Sequence, residues 1–204
     1  MKVSLDIPTR LETERLYLRP YRTGDGPMYF AVGQKNRDHL ARYETDNFLR
    51  TLNSEAEAES IVQELAADWE ARKRFFMGAF DKQTDEFVAQ IYIGVADWDV
   101  PEFEIGYIVN CDHEGQGYVT EAAQAALRFI FKYLHAHRVS LHCDDTNRRS
   151  YRVAERCGLV REGHVRENKK WPDGTFSGTL SYGMLRTEFV ALYGDVDGPD
   201  TPRT

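Results

Sequence analysis

The sequence has few cysteines, and they are not arranged for cross-linking. Cys111, Cys143 and Cys157 are the only three, and no two of them form a CxxC pair. An odd count without such spacing indicates neither a disulfide framework nor a thiolate zinc site. The six histidines likewise fall into no ligand spacing with carboxylates or thiols. We therefore expect a reduced, cytoplasmic protein without a metal.

The sequence also lacks long hydrophobic runs and an excess of basic residues. No apolar stretch approaches the ~18 residues that a membrane span requires, and the segment Met1–Pro8 has no apolar core of the kind found in signal peptides. The 26 Lys and Arg residues are outnumbered by 33 Asp and Glu, which gives a net charge of −7. A negative chain repels phosphate backbones and anionic lipids, so we expect neither a nucleic-acid nor a membrane partner.

The composition is that of an ordinary globular enzyme or binding protein. With 204 residues, 42% of them hydrophobic, the chain is long enough for one domain and short for two. We assign this domain to residues 1–190. The end of the chain, residues 191–204, is rich in Gly, Asp and Pro, and we expect it to be a disordered tail.

Hydrophobic periodicity predicts helices early in the chain and strands in its middle. Ser54 and Glu57 are spaced as a capping box before a helical apolar pattern. The period then shortens to two over Phe75–Phe80, Phe87–Val95 and Phe103–Val109, which predicts three antiparallel strands with short connections.

The third of these strands leads into a glycine turn, a long helix and a further strand. The turn is Asp112–Gly117, the helical stripe runs from Val119 to Leu134, and Val139–Cys143 alternates as a strand does. Such a βαβ crossover places its two strands parallel. A short helix, Arg148–Cys157, and a closing hairpin complete the chain. We predict an α+β fold with a single mixed, mostly antiparallel sheet flanked by helices.

The glycine turn is the first candidate binding site. Main-chain N–H groups at a helix start are unpaired, and the helix dipole adds positive charge there, so a phosphate can bind without a basic side chain. The alternative is that the glycines only permit a tight strand-to-helix connection. The turn lacks the Gly-Lys-Ser/Thr of a Walker loop and the third glycine of a dinucleotide fingerprint. ATP and NAD are therefore poor fits.

Five segments together resemble one enzyme family. They are Leu11–Pro20, Glu104–Val109, Glu114–Ala122, Asn147–Ser150 and Cys157–Leu159. In order and spacing they resemble the GNAT superfamily of acyl-CoA-dependent N-acyltransferases, over roughly residues 10–187. The first segment further resembles the RimJ/RimL-like branch, whose members acetylate the N-termini of ribosomal proteins.

The resemblance implies that acetyl-CoA is the co-substrate and lies in a V-shaped opening between two splayed parallel strands, which end near Val109 and Cys143. It implies that the diphosphate rests on amides of the glycine turn. It further implies that the pantetheine arm pairs with main-chain groups at the strand end and with Asn147. The residues so assigned to cofactor binding are Ile108, Val109, Asn110, Gly115, Gln116, Gly117, Tyr118, Val119, Thr120, Asn147 and Ser150.

Two positions of the turn depart from the family pattern. The family usually has Gln or Arg where this chain has Glu114, and Gly or Ala where it has Val119. A carboxylate beside a diphosphate is unfavourable unless it points into water. We therefore expect phosphate contacts that are weaker or repositioned, since the donors are main-chain amides.

The transfer chemistry requires a neutral amine and a proton for the departing thiolate. At pH 7 an α-amine with a pKa of ~8 costs about 1.4 kcal/mol to deprotonate, whereas a lysine with a pKa of ~10.4 costs about 4.6 kcal/mol. A weak base suffices for the α-amine. The family resemblance assigns this role, or anchoring of the amine, to Glu104. The alternative is that Glu104 is a solvated strand residue.

The usual proton donor of the superfamily, a tyrosine, is replaced here by Ala154. Ser150, three residues after Asn147, matches a serine of the RimJ/RimL-like branch, and Tyr151 is the stronger acid by pKa. Both are candidate acids. The alternatives are an ordinary first-turn residue for Ser150, a packing role for Tyr151 and a helix N-cap for Asn147.

We therefore predict an N-acetyltransferase that moves an acetyl group directly from acetyl-CoA to a primary amine, above all a protein or peptide N-terminal α-amine. A small-molecule acceptor such as a polyamine, amino sugar or antibiotic is the first alternative. A CoA-binding module without turnover is the second. The resembling branch commonly forms homodimers, which leaves a homodimer open for this chain.

Overall fold

The computed structural model describes residues 6–45 and 47–195. The strands are β1 (Leu11–Glu12), β2 (Leu16–Pro20), β3 (Arg74–Asp81), β4 (Phe87–Asp97), β5 (Glu102–Val109), β6 (Arg138–Asp144), β7 (Val160–Lys170) and β8 (Phe176–Leu185). The helices are α1 (Gly26–Leu40), α2 (Phe48–Thr51), α3 (Glu55–Glu70), α4 (Tyr118–Tyr133), α5 (Arg148–Arg156) and α6 (Arg186–Tyr193), and a 3₁₀ turn spans Cys111–His113.

The eight strands form one mixed sheet in the order β1-β2-β3-β4-β5-β6-β8-β7. Adjacent strands from β1 to β4 are antiparallel, as are β6 with β8 and β8 with β7. The predicted sheet, with its mostly antiparallel pairing and flanking helices, is confirmed.

The parallel pair predicted from the βαβ crossover is β5 and β6. Its ladder pairs Glu102 with Arg138, Phe103 with Val139 and Glu104 with Ser140. These are the first three residues of β5, which continues to Val109, whereas β6 pairs with β8 along its whole length. The described parallel ladder therefore lies at the start of both strands.

Strand β7 lies at one edge of the sheet and is interrupted by an irregularity. Its pairing with β8 shifts register between Arg161 and Gly163 and again between Val165 and Lys169. Glu167, within the second shift, has a φ of +51°. Nine of its eleven residues are solvent-exposed, so this edge of the sheet is long, open to solvent and irregular.

Close packing divides the backbone into two compact units. Unit N comprises residues 9–94 and 107–122, and unit C comprises residues 95–106, the described residues from 123 onward and those up to 8. In unit N the core is aromatic and aliphatic, and it includes Tyr21, Tyr29, Leu49, Leu52, Val62, Leu65, Phe76 and Phe80. In unit C the buried residues include Phe103, Phe129, Ile130, Phe131, Val139, Leu141, Tyr182, Met184 and Phe189.

The start of α3 differs from the predicted capping box in one bond. Ser54 caps the helix by accepting a hydrogen bond from the Glu57 amide at 3.1 Å. The Glu57 carboxylate accepts the amide of Asn53, at 2.9 Å, whereas a capping box would have it accept the N-cap amide of Ser54. The helix start was predicted correctly, but the reciprocal bond falls one residue earlier.

The C-terminal helix was not predicted from the sequence. Helix α6 continues to Tyr193, three residues past the domain boundary predicted at residue 190. It packs through Phe189, whose ring stacks on Phe131 with centroids 4.6 Å apart. Residues 196–204 of the predicted tail lie outside the described residues, so the tail stays a prediction.

Candidate active site

The glycine turn between β5 and α4 depends on two left-handed backbone positions. Gly115 has a φ of +74° and Gly117 a φ of +82°. A Cβ added at Gly115 would have no heavy atom within 4 Å, and one at Gly117 would meet only an Arg15 nitrogen at 3.5 Å. The glycines are therefore needed for the backbone conformation and not for space.

The turn presents unused hydrogen-bond donors. Among the residues that the structure describes, no acceptor is found for the amides of Gly115, Gln116, Gly117, Tyr118 or Val119. Gly115, Gln116 and Gly117 are exposed. Unpaired amides at the positive end of a 16-residue helix form a binding site for an anion. The geometry therefore fits the diphosphate of a coenzyme A derivative.

The carbonyls and side chains of the turn, by contrast, are held by the protein. Arg15 donates through one terminal nitrogen to the Gln116 carbonyl at 3.0 Å, and through Nε to the Glu121 carboxylate at 2.7 Å. Thr13 donates to the same carboxylate at 2.6 Å. These residues lie in two segments that carried the family resemblance, but more than 100 positions separate them. Sequence spacing could not reveal that they meet.

The unusual Glu114 has a partner on α1. Its Oε1 lies 3.4 Å from Nε2 of His39, and the side chain is 28% exposed. A partner for this carboxylate away from the amides reduces the predicted repulsion of a diphosphate. Val119 is half-buried at the helix start. Its main-chain amide is a donor that does not depend on the identity of the side chain.

The residue after β5, Asn110, is held by neighbouring residues of unit N. The Asn110 amide donates to the Val88 carbonyl at 2.9 Å, and the Asn110 carbonyl accepts the His113 amide at 2.8 Å. Its side chain donates to the Phe87 carbonyl at 3.0 Å. Asn110 thus fastens β5 to β4, its amide is engaged within the protein, and its predicted main-chain pairing with pantetheine stays a prediction. Ile108 is buried, and the pantetheine contacts assigned to Ile108 and Val109 stay predictions.

Glu104 lies in unit C, within the parallel ladder. It pairs with Ser140 of β6 and is half-buried, between the buried side chains of Phe103 and Ile105. The predicted alternation of buried and less buried side chains is therefore present at the residues before and after Glu104. Its position is neither the core nor a fully solvated surface, which is compatible with the predicted role toward the amine.

The first turn of α5 carries the other predicted site residues. Asn147 is the N-cap, and its side-chain oxygen accepts the Ser150 amide at 3.2 Å. The cap uses only the oxygen of the side chain, so the capping role does not exclude the predicted pantetheine contact of the amide nitrogen. Tyr151 accepts a hydrogen bond from Nε of Arg148 at 3.3 Å.

Ser150 has a partner that the sequence did not suggest. Its side chain hydrogen-bonds to that of Cys143 at the end of β6. Burial raises the pKa of the Cys143 thiol to about 11, and the bond from Ser150 opposes that rise. The thiol is therefore protonated at neutral pH and holds the serine hydroxyl at the first turn of α5.

Asp144 organises the loop before α5 and was also missed by the sequence analysis. Its Oδ1 accepts the Thr146 amide at 3.0 Å and the Thr146 hydroxyl at 2.6 Å. Its Oδ2 accepts the Ser177 hydroxyl at 2.5 Å, and Ser177 accepts the indole N–H of Trp171 at 2.8 Å. The pair Asp144-Asp145 before Thr-Asn is a turn signal, but its partners on β8 could not be read from spacing.

Within residues 6–45 and 47–195, no group of three or more His, Cys, Asp or Glu side chains is arranged to hold a metal ion. In the same part of the chain, no helix has both the length and the apolar character to cross a bilayer.

Residues 15–160 match the family model described as "Acetyltransferase (GNAT) domain". The chain is 40% identical to the uncharacterized N-acetyltransferase YnaD of Bacillus subtilis over 91 residues, which is 43% of this chain and only about half, 51%, of that relative. Over 66 residues it is 35% identical to the spermidine N(1)-acetyltransferase of Vibrio cholerae, covering 32% of this chain and 37% of the relative. Over 94 residues it is 27% identical to the ribosomal protein uS5-alanine N-acetyltransferase of Escherichia coli, covering 46% and 48%.

Solved structures show the same fold. The ribosomal-protein-S5-alanine acetyltransferase of Vibrio fischeri superposes with a TM-score of 0.77 at 17% identity, covering 88% of this chain and 97% of that one. RimL, the ribosomal L7/L12 α-N-protein acetyltransferase, in complex with coenzyme A, gives a TM-score of 0.76 at 19% identity and the same coverage, 88% and 97%.

Proposed function

The chain belongs to the GNAT acetyltransferase family, and from that premise we propose that it moves the acetyl group of acetyl-CoA directly to the α-amine of a protein or peptide N-terminus. The observation that carries the proposal is the row of amides at Gly115–Val119, which have no acceptor among the described residues. A diphosphate matches these donors in charge and in hydrogen-bonding capacity.

The chemistry divides between two groups of unit C. The co-substrate supplies the activated acetyl group, and the protein must accept one proton from the amine and return one to the departing sulfur. Glu104 accepts the amine proton, directly or through water. Ser150 passes the second proton to the departing sulfur and recovers one from solvent water, for which its hydroxyl turns from Cys143 toward the thiolate. Tyr151 and water are the other candidate donors.

The charge of α5 favours a peptide acceptor over a polyamine. Its nine residues contain four arginines and one glutamate, and they follow Asn147 directly. Arg148, Arg152 and Arg156 are exposed and recur at intervals of four, so they share one face of the helix. A polyamine carries several positive charges and is repelled by such a face, whereas a peptide N-terminus carries one and loses it before transfer.

Competition between amines tests the proposal. The purified chain is given acetyl-CoA with short peptides that have a free N-terminus, with the same peptides blocked at the N-terminus but carrying an internal lysine, or with spermidine. Thiol release and the mass of each product are measured. We expect acetylation of the free α-amines, with the blocked peptides and spermidine close to background.

Each other result contradicts a defined part of the proposal. Preferential acetylation of spermidine, the substrate named for the Vibrio cholerae relative, would replace the peptide by a small-molecule acceptor. Coenzyme A binding without turnover on any amine would indicate a binding module. An absence of coenzyme A binding would remove the proposed function altogether.

A further inference from the structure

We propose that Arg15 and Glu121 are positioning residues that hold the glycine turn in the conformation that binds the diphosphate of acetyl-CoA. The inference rests on the proposed function, because it concerns the same turn. It goes beyond it by assigning a role in coenzyme binding to an N-terminal residue and to a helix carboxylate, neither of which needs to touch the ligand.

Glu121 collects hydrogen bonds from one short segment. Its Oε1 accepts the Thr13 hydroxyl at 2.6 Å and the Arg15 amide at 2.8 Å. Its Oε2 accepts Nε of Arg15 and lies 2.7 Å from the terminal nitrogen of the same guanidinium. The carboxylate is only 18% exposed. The segment at Thr13–Arg15 is therefore bound to the first turn of α4 through both oxygens of one side chain.

The remaining terminal nitrogen of Arg15 sets the orientation of a peptide plane in the turn. It donates to the Gln116 carbonyl at 3.0 Å. In a trans peptide the carbonyl of one residue and the N–H of the next point in opposite directions. Arg15 thus pulls the Gln116 carbonyl toward itself and directs the Gly117 N–H away from the protein, where an anion can meet it.

The first residue of α4 is held as well. The Arg15 guanidinium lies 4.3 Å from the ring centroid of Tyr118, and the Tyr118 hydroxyl donates to Asp81 at 3.0 Å. The Gly117 carbonyl accepts the Glu121 amide at 3.1 Å and so closes the first helical turn. The amides of Gly117 and Tyr118 are consequently fixed in direction before any ligand binds, which lowers the entropic cost of binding.

The alternative is that Arg15 itself binds the diphosphate. In that case Glu121 competes with the ligand for the guanidinium, and removing its charge would leave binding unchanged or make it tighter. If Arg15 acts by positioning, removing the Glu121 charge releases the guanidinium and weakens binding. Glu121→Gln, which preserves size, distinguishes the two mechanisms.

The experiment compares two acetyl donors. Wild type, Glu121→Gln, Arg15→Gln and Arg15→Lys are assayed with acetyl-CoA and with S-acetylpantetheine, which lacks the diphosphate and the adenosine. Arg10→Gln is the matched control, because Arg10 lies shortly before Arg15 in the chain but pairs with Glu12 at 2.6 Å and stacks on Tyr17. Coenzyme A affinity is measured by calorimetry, and folding by thermal unfolding.

We expect Glu121→Gln and Arg15→Gln to raise the KM for acetyl-CoA and the Kd for coenzyme A about tenfold, with kcat nearly unchanged. With S-acetylpantetheine their KM should equal that of wild type. Arg15→Lys should bind coenzyme A more tightly than Arg15→Gln but less tightly than wild type, because lysine keeps the charge but lacks the planar set of donors of the guanidinium. Arg10→Gln should match wild type with both donors.

Two results would overturn the inference. One is unchanged or tighter coenzyme A binding by Glu121→Gln. The other is an equal defect with both donors, which would indicate general damage to the fold. If wild type itself does not bind coenzyme A, the proposed function fails first, and that result is separate from either of these.

Discussion

The hydroxyl of Ser150 and the thiol of Cys143 share a hydrogen bond that connects the first turn of α5 to the end of β6. Ser150 is also the residue whose amide is capped by Asn147, so both its main chain and its side chain are oriented by neighbours within unit C. A hydroxyl held in this way can deliver a proton without first being ordered.

Replacing Ser150 by alanine should lower kcat about tenfold or more while the Kd for coenzyme A changes by less than about twofold. The reason is that a proton donor acts on the departing sulfur and contributes little to ground-state binding. Steady-state kinetics and calorimetry measure the two quantities, and Ser60→Ala on α3 is the control. An unchanged kcat would assign the proton donor role to Tyr151 or to water.

The three thiols should react at different rates with iodoacetamide at pH 8. Burial raises the pKa of Cys143 to about 11 and that of Cys157 to about 12. At pH 8 a thiol with a pKa near 11 is ionised in only about one molecule in a thousand. Cys111 is half-buried and should be alkylated first, as followed by mass spectrometry.

In urea the three cysteines should react alike, which provides the control. Rapid alkylation of Cys143 in the folded protein would mean that its thiol is more accessible or more acidic than the structure indicates.

Stability should depend on pH through Glu121. Burial alone would raise the pKa of this carboxyl. The hydrogen bonds from Thr13 and Arg15 lower it by more than burial raises it, so the resulting pKa lies below the ordinary value. A group with a lowered folded-state pKa stabilises the fold above its unfolded pKa of about 4.3 and loses that contribution as the pH falls. Glu121→Gln should therefore lower the Tm at pH 7 and reduce its drop between pH 5 and pH 3.

The same titration with Glu14→Gln controls for the loss of any one carboxylate in this region. If acidification lowers the Tm of Glu121→Gln as steeply as that of wild type, other carboxylates dominate acid unfolding and the prediction is wrong.

Substitution of Gly115 should separate backbone strain from crowding. Its φ is +74° and the space around a Cβ is open, so Gly115→Ala should cost about 1 kcal/mol of stability through strain alone. Gly115→Asn should cost less, because asparagine tolerates the left-handed region better. Unfolding in urea measures both, and equal costs would contradict the assignment to backbone strain.

Much of the fold could be predicted because the periodicity is local. Phe75–Phe80 and Phe87–Val95 lie within β3 and β4, as predicted, although both strands are buried on both faces and do not alternate between buried and exposed residues. The parallel placement of β5 and β6 followed from the long helix between them, since parallel neighbours need a crossover of a dozen or more residues and a helix usually supplies it.

The parts that could not be predicted depend on contacts between distant residues. Helix α6 has only two turns, and its place is set by stacking of Phe189 on Phe131. Asn110 was assigned to the cofactor from the family resemblance, and its bonds to Val88 and Phe87 could not be predicted from the sequence. Likewise the ion pair between Arg15 and Glu121 forms only when the chain is folded, because the two residues are far apart in the sequence.

The irregular edge strand β7 has a consequence for behaviour at high concentration. Exposed Arg161, Arg166 and Lys170 lie along it, and the register shift at Val165–Lys169 bends it out of plane. An edge that is cationic and bent is a poor template for a strand of another molecule, because like charges would oppose each other and few ladder bonds could form. At the far side of the sheet β1 is only two residues long. Both borders thus offer few main-chain groups in register for edge-to-edge pairing with another molecule.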